Sequence, residues 1–200
     1  MRLPSLASLL ATTSVASLCA IGAIGAQPAY MVADLQTAAR PDWSFGGVFA
    51  PRFLDVEGVG YFLHDDGIHG RELWRTDRTA LGTYLIRDVC PGQCGASALT
   101  GPEHLAALGG FVLFAGNDGV TGTELWISDG TALGTRAVRD LRPGADSSAP
   151  AQMVAAAGQV FFTADDGING RELWRSDGTL KGTYLVRDVT AGATGGDIQG

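Results

Sequence analysis

The motif Arg-Glu-Leu-Trp-Arg-x-Asp-x-Thr stands at residues 71–79 and again at 171–179, with a divergent copy, Thr-Glu-Leu-Trp-Ile-Ser-Asp-Gly-Thr, at 123–131. The Glu-Leu-Trp triplets begin at Glu72, Glu124 and Glu172, so the period is 52 and then 48 residues, the length of one propeller blade. That period constrains the chain more than any other feature. A residue found in every copy is assigned to building the repeat, which covers Glu72, Leu73, Trp74, Glu124, Leu125, Trp126, Glu172, Leu173 and Trp174. The tryptophans are expected to be buried within or between blades. The glutamates are expected to face a rim or to pair with a nearby arginine.

Read in parallel, the copies (about 48–89, 101–141 and 151–189) each parse into four short strands. Strand one is 53–56, 105–108 and 153–156; strand two is 59–63, 111–115 and 159–163, with a Phe aligned at 62, 114 and 162. A loop of Asp-Gly or Asn-Asp-Gly chemistry follows and supports a hairpin. Strand three carries Glu-Leu-Trp, and strand four is 84–89, 136–141 and 184–189. Consecutive apolar residues such as Phe161-Phe162 imply sheets covered on both faces, as blades sandwiched between blades are. The expected fold is all-β, with propeller-like blades of four antiparallel strands. Residues 30–35, Tyr-Met-Val-Ala-Asp-Leu, match strand four and supply an extra strand ahead of the first blade. Three blades plus that strand fall short of the usual minimum of four, so an incomplete ring is expected, either part of a longer protein or an arc that pairs with something.

A chain of 200 residues with 46% hydrophobic and 18% charged content reads as one globular domain, and its 29 Gly and 8 Pro suit many short strands with tight turns. The net charge of −7 with a single Lys, Lys181, lacks the electrostatic footprint of a nucleic-acid binder.

The first 26 residues have the form of an export signal. Arg2 is the positive end, residues 5–24 are uncharged, and Gly25-Ala26 offers small residues for cleavage before Gln27. A transmembrane anchor is the alternative, disfavoured by the Ser and Thr content and the small-residue end. The mature domain, residues 27–200, is therefore expected to be secreted or on the cell surface, without stable membrane insertion. Cys19 leaves with the signal, so Cys90 and Cys94 remain as a pair in Cys-Pro-Gly-Gln-Cys. They align with Arg142 and Asp146 in the second copy and with Thr190 and Thr194 in the third. A disulfide, an ion pair and a hydroxyl pair at equivalent positions suggest side chains that meet across the turn. The other reading, a Cys-x-x-x-Cys metal site, lacks two further Cys or His partners nearby.

The string at residues 165–189, Asp-Asp-Gly-Ile-Asn-Gly-Arg-Glu-Leu-Trp-Arg-Ser-Asp-Gly-Thr-Leu-Lys-Gly-Thr-Tyr-Leu-Val-Arg-Asp-Val, resembles bacterial secreted proteins built from Glu-Leu-Trp-x-x-Asp-Gly-Thr repeats, some of them labelled hyalin-like. The resemblance spans about residues 29–195. It implies a propeller-like extracellular or cell-surface protein and brings no catalytic residue. The chain departs from the pattern at Arg78, where the other copies have Gly130 and Gly178; a positive φ there would cost on the order of 1 kcal/mol.

The recurrent acids raise the question of calcium. Asp65, Asp66, Asp118, Asp165 and Asp166 cluster in one loop type, and Asp77, Asp129 and Asp177 recur in the other. Calcium takes about six to eight oxygen ligands, and no copy has EF-hand spacing. Asx-turn hydrogen bonding explains one Asp per loop without an ion and is the favoured reading, with calcium as the second. His64 and His69 flank one hairpin loop and His104 lies in the longer connection of the second copy; they break the repeat, but the counterparts of the first two, Gly116 and Ala164, then Thr121 and Asn169, read as loop-tip variation. No nucleophile elbow, zinc helix or phosphate loop is present. Two functions follow as expectations. One is a non-catalytic scaffold whose rim binds a protein, a carbohydrate or an ion. The other is part of a larger secreted glycan hydrolase or lyase with its active site elsewhere.

Overall fold

The computed structural model describes residues 53–92 and 104–189. The expected signal at 1–26, the extra strand at 30–35 and Cys94 lie outside these residues. Within them the chain forms three four-stranded antiparallel sheets. Sheet 1 comprises β1 (Leu54–Val56), β2 (Val59–Asp65), β3 (Arg71–Thr76) and β4 (Tyr84–Leu85). Sheet 2 comprises β5 (Leu105–Leu108), β6 (Phe111–Asn117), β7 (Thr123–Ser128) and β8 (Arg136–Arg139). Sheet 3 comprises β9 (Ala151–Ala156), β10 (Gln159–Asp165), β11 (Arg171–Ser176) and β12 (Tyr184–Arg187). Each sheet is a meander in chain order, and the first strands of successive sheets touch, β1 with β5 and β5 with β9. The result is an all-β, propeller-like array of blades that does not close as a barrel.

Strand periodicity decides which residues meet. Phe62, Phe114 and Phe162 stand directly opposite Trp74, Trp126 and Trp174 on the neighbouring strand. In sheet 2 this Phe/Trp face, with Leu105 and Val112, packs on Tyr61, Leu63, Leu73, Ile86 and Val89 of sheet 1. The opposite face, with Ala106, Leu113, Leu125, Ile127 and Val138, receives Phe162 and Trp174 of sheet 3. Sheet 2 is thus apolar on both sides because it is covered on both sides. The three tryptophans are 9%, 6% and 4% exposed, as their place between and within blades requires.

Strand limits differ from the sequence-based ones. β2, β6 and β10 run two residues further, to Asp65, Asn117 and Asp165, because pairing with the next strand continues to the loop itself. Strand one of the first copy starts at Leu54, one residue late. The fourth strands stop early, at Leu85, Arg139 and Arg187. In sheets 2 and 3 the register slips between Leu125 and Trp126 and between Leu173 and Trp174. Past the strand ends, the amides of Val89, Leu141 and Val189 turn to glutamate carboxylates and leave the ladder.

Neighbouring sheets are also stitched by repeated polar contacts. Arg87 Nη1 donates to the carbonyl of Thr135 at 2.6 Å, and Arg139 Nη1 to that of Thr183 at 2.6 Å. Arg142, which follows sheet 2, pairs with Asp146 at 3.3 Å and with Asp165 of sheet 3 at 3.1 Å. The Arg142–Asp146 pair is the contact that the alignment with Cys90 and Cys94 anticipates. Cys90 itself is disulfide-bonded.

Arg78 adopts φ 74°, and its counterparts Gly130 and Gly178 adopt 86° and 84°. A Cβ at Gly130 would lie 2.5 Å from Tyr61 Oη, and one at Gly178 would lie 2.9 Å from Ile127 Cδ1. Glycine is therefore demanded twice in sheets 2 and 3, by the backbone and by the preceding sheet. In sheet 1 only the backbone demand applies, and the Arg78 side chain reaches exposed Asp55 at 3.6 Å. An exposed pair of this kind contributes little. Arg78→Gly is accordingly expected to stabilise the protein by about 1 kcal/mol, read as a higher urea midpoint at constant slope.

Candidate binding rim

The antiparallel meander places the β2–β3, β6–β7 and β10–β11 loops on one rim. Each is built on the same carboxylate cage. Asp66 Oδ1 accepts the amides of Ile68 and His69, at 2.9 Å each; Asp118 and Asp166 do the same for Val120 and Thr121, and for Ile168 and Asn169. The preceding residue also caps the turn, since Asp65, Asn117 and Asp165 accept the amides of Gly67, Gly119 and Gly167. Two side chains per loop, not one, serve the backbone.

The non-repeated residue of this cage has a role common to all copies. His69 Nδ1 bonds Asp66 Oδ2 at 2.7 Å, Thr121 Oγ1 bonds Asp118 Oδ1 at 3.1 Å, and Asn169 Nδ2 bonds Asp166 Oδ2 at 2.7 Å. Three chemically different donors close the same loop. Against the upward pull of burial, the His69 and Ile68 hydrogen bonds hold the Asp66 carboxyl down to about 2. The same carboxylate raises His69 above its usual value.

The other histidines are not loop tips. His64 lies in β2, edge-on to Trp74 with ring centroids 5.8 Å apart. His104 is buried, and its Nδ1 bonds the Pro150 carbonyl at 2.9 Å, tying the start of sheet 2 to the segment entering sheet 3. His64 departs from the loop-tip reading, because a ring of this size next to a core tryptophan adds packing, whereas His104 lies just ahead of β5, in the connection.

The recurrent glutamates also depart from expectation. Glu72, Glu124 and Glu172 are buried and do not face a rim, and their carboxylates accept backbone amides. Glu72 Oε1 accepts the amides of Val89 and Cys90 at 3.1 Å, and Glu124 accepts those of Leu141 and Ser148 at 2.8 and 2.9 Å together with the Ser148 hydroxyl at 2.7 Å. Glu172 accepts the Val189 amide at 3.2 Å. The carboxylate fastens the turn beyond strand four, a segment with no ladder to satisfy its amides and buried at Val89 and Leu141 in sheets 1 and 2. Burial pushes the Glu72 carboxyl up to about 7 and raises Glu124 as well.

The opposite rim carries the Asp-x-Thr turns. Asp77, Asp129 and Asp177 each accept the amide and hydroxyl of the Thr two residues on, at 2.9 and 2.7 Å. Among the described residues, no three His, Cys, Asp or Glu side chains gather as a metal-binding group. The calcium candidates Asp65, Asp66, Asp118, Asp165 and Asp166 sit one loop to a sheet, each with at least one oxygen on a backbone amide.

What the cages present outward is apolar. Ile68, Val120 and Ile168 occupy the same loop position and are 48%, 71% and 73% exposed. On the opposite rim Leu81 and Leu133 are equivalent and 96% and 97% exposed. Sequence reasoning attended to the acids and missed these tips, although an aliphatic residue at a fixed loop position in every copy was visible. No family model, curated protein or solved structure matches the chain.

Proposed function

We propose that this protein is a secreted or cell-surface, non-catalytic scaffold of the Glu-Leu-Trp-x-x-Asp-Gly-Thr repeat class that binds a protein partner through its Asp-Asp-Gly rim. The carrying observation is the row of exposed aliphatic side chains Ile68, Val120 and Ile168, each held out by a carboxylate-caged loop. A single exposed aliphatic residue needs no explanation, whereas the same one on three equivalent tips does. A protein partner is favoured over a glycan because the recurrent tryptophans, which would supply sugar stacking, are buried.

The test compares the full chain with an I68D/V120D/I168D variant. All three positions are outside the cores, so thermal unfolding should be unchanged. The extracellular fraction of the source culture should yield a protein retained by the unaltered chain and lost by the variant. Retention equal on both proteins, or cleavage of a polysaccharide panel by the chain, would overturn the reading and favour the enzyme alternative.

A further inference from the structure

Sheet 3 has a face that repeats an interface without its partner. In sheets 1 and 2 this face is core: Leu73 and Leu125, Ile86 and Val138, and Val89 and Leu141 pack against the following sheet. The equivalents in sheet 3 are Leu173, half-buried, and Val186 and Val189, 43% and 66% exposed. Val154, equivalent to buried Ala106, is 61% exposed. Arg87 and Arg139 each donate to a threonine carbonyl of the following sheet. Arg187 occupies the same position, is exposed, and makes no such bond among the described residues. Apolar side chains and hydrogen-bond donor are thus arrayed as at two occupied interfaces.

We propose that this face seats a further sheet of the same repeat, following sheet 3 in the polypeptide as sheet 3 follows sheet 2. Three features define the incoming sheet. It must bring a Phe/Trp face to cover Leu173, Val186 and Val189, a backbone carbonyl for Arg187 in the place of Thr135 and Thr183, and glycine in its Asp-Gly-Thr turn. The last follows from Gly130 and Gly178, where a Cβ would lie within 3 Å of a side chain of the preceding sheet. A second copy of this chain fits poorly. Its sheet 1 would offer Arg78 at that turn, and its Phe62 and Trp74, the side chains needed to cover the seat, are already buried. The proposal concerns the end of the array and is independent of the rim function.

Hydrogen exchange decides it, using the full chain and the same chain extended after Gly200 by a second copy of residues 153–189, which keeps the 48-residue period. The extension should slow exchange of the β12 amides by roughly tenfold or more while β6 and β7 stay as they were. Val186→Asp and Arg187→Ala, both at exposed positions, should erase that protection in the extended chain and leave exchange in the unextended one unchanged. Unaltered β12 exchange on extension would overturn the proposal. So would a concentration-dependent dimer of the unextended chain that Val186→Asp abolishes, since the seat would then belong to a second copy.

Discussion

Replacing Trp126 by alanine is expected to destabilise the protein by about 3–5 kcal/mol, measured by urea or thermal unfolding. The ring is 6% exposed, lies opposite Phe114 with centroids 6.3 Å apart, and fills the interface between sheets 1 and 2. Cavity formation therefore weakens two sheets at once. Against a total stability of roughly 5–15 kcal/mol for a domain, the loss is large. A Trp126→Ala protein with an unchanged unfolding midpoint would show that the ring is not part of the packing.

Glu124→Ala is expected to cost a similar amount by a different route. Its carboxylate serves the buried amides of Leu141 and Ser148 and the Ser148 hydroxyl. Each orphaned buried donor costs about 1–3 kcal/mol, so the three together cost roughly 3–9 kcal/mol, nearer the lower end because the Ser148 hydroxyl also reaches the Thr123 carbonyl. Glu124→Gln should fall between, because one of its two acceptor oxygens becomes an NH2 group facing a donor. The same motif gives a pH dependence. Glu72 has a folded value of about 7 against an ordinary 4.5, so the folded state holds its proton more tightly; stability is full below pH 4.5 and falls as pH rises through 7. Asp66 acts oppositely: its contribution is present above 3.8 and lost as pH falls through about 2. Unfolding midpoints across pH 4–8 should decline toward the alkaline side, and Glu72→Gln should flatten that decline.

The architecture was legible in the sequence because each strand carries its own signal. The Phe at 62, 114 and 162 and the Trp at 74, 126 and 174 mark the second and third strands, and glycines at fixed offsets mark the turns. The glutamates were misread because burial of a carboxylate is set by what lies across space. Val89, Leu141 and Val189 are 17 residues from their acceptors, and nothing local announces the bond. His69, Thr121 and Asn169 looked like drift for the reverse reason. Their residue types differ while their donor geometry is the same, so identity concealed equivalence. The rim tips were readable as recurring aliphatics, but only the fold separates an outward Ile168 from an inward one.

The glycine at the Asp-Gly-Thr turn bears on how such an array can grow over evolutionary time. Gly130 lies against Tyr61 and Gly178 against Ile127, so each later unit carries, in its own turn, an imprint of the unit before it. The first unit, with Arg78, carries none. A gene duplication that copies the second or third unit into an interior position inherits a turn already shaped for a neighbour. One that moves the first unit inward brings an arginine to a position where a Cβ comes within 3 Å of a side chain of the preceding unit, so that neighbour has to shift or the codon has to mutate. Growth by recombination is therefore biased in direction, and the residue at this one position distinguishes units already shaped to follow another from one that is not.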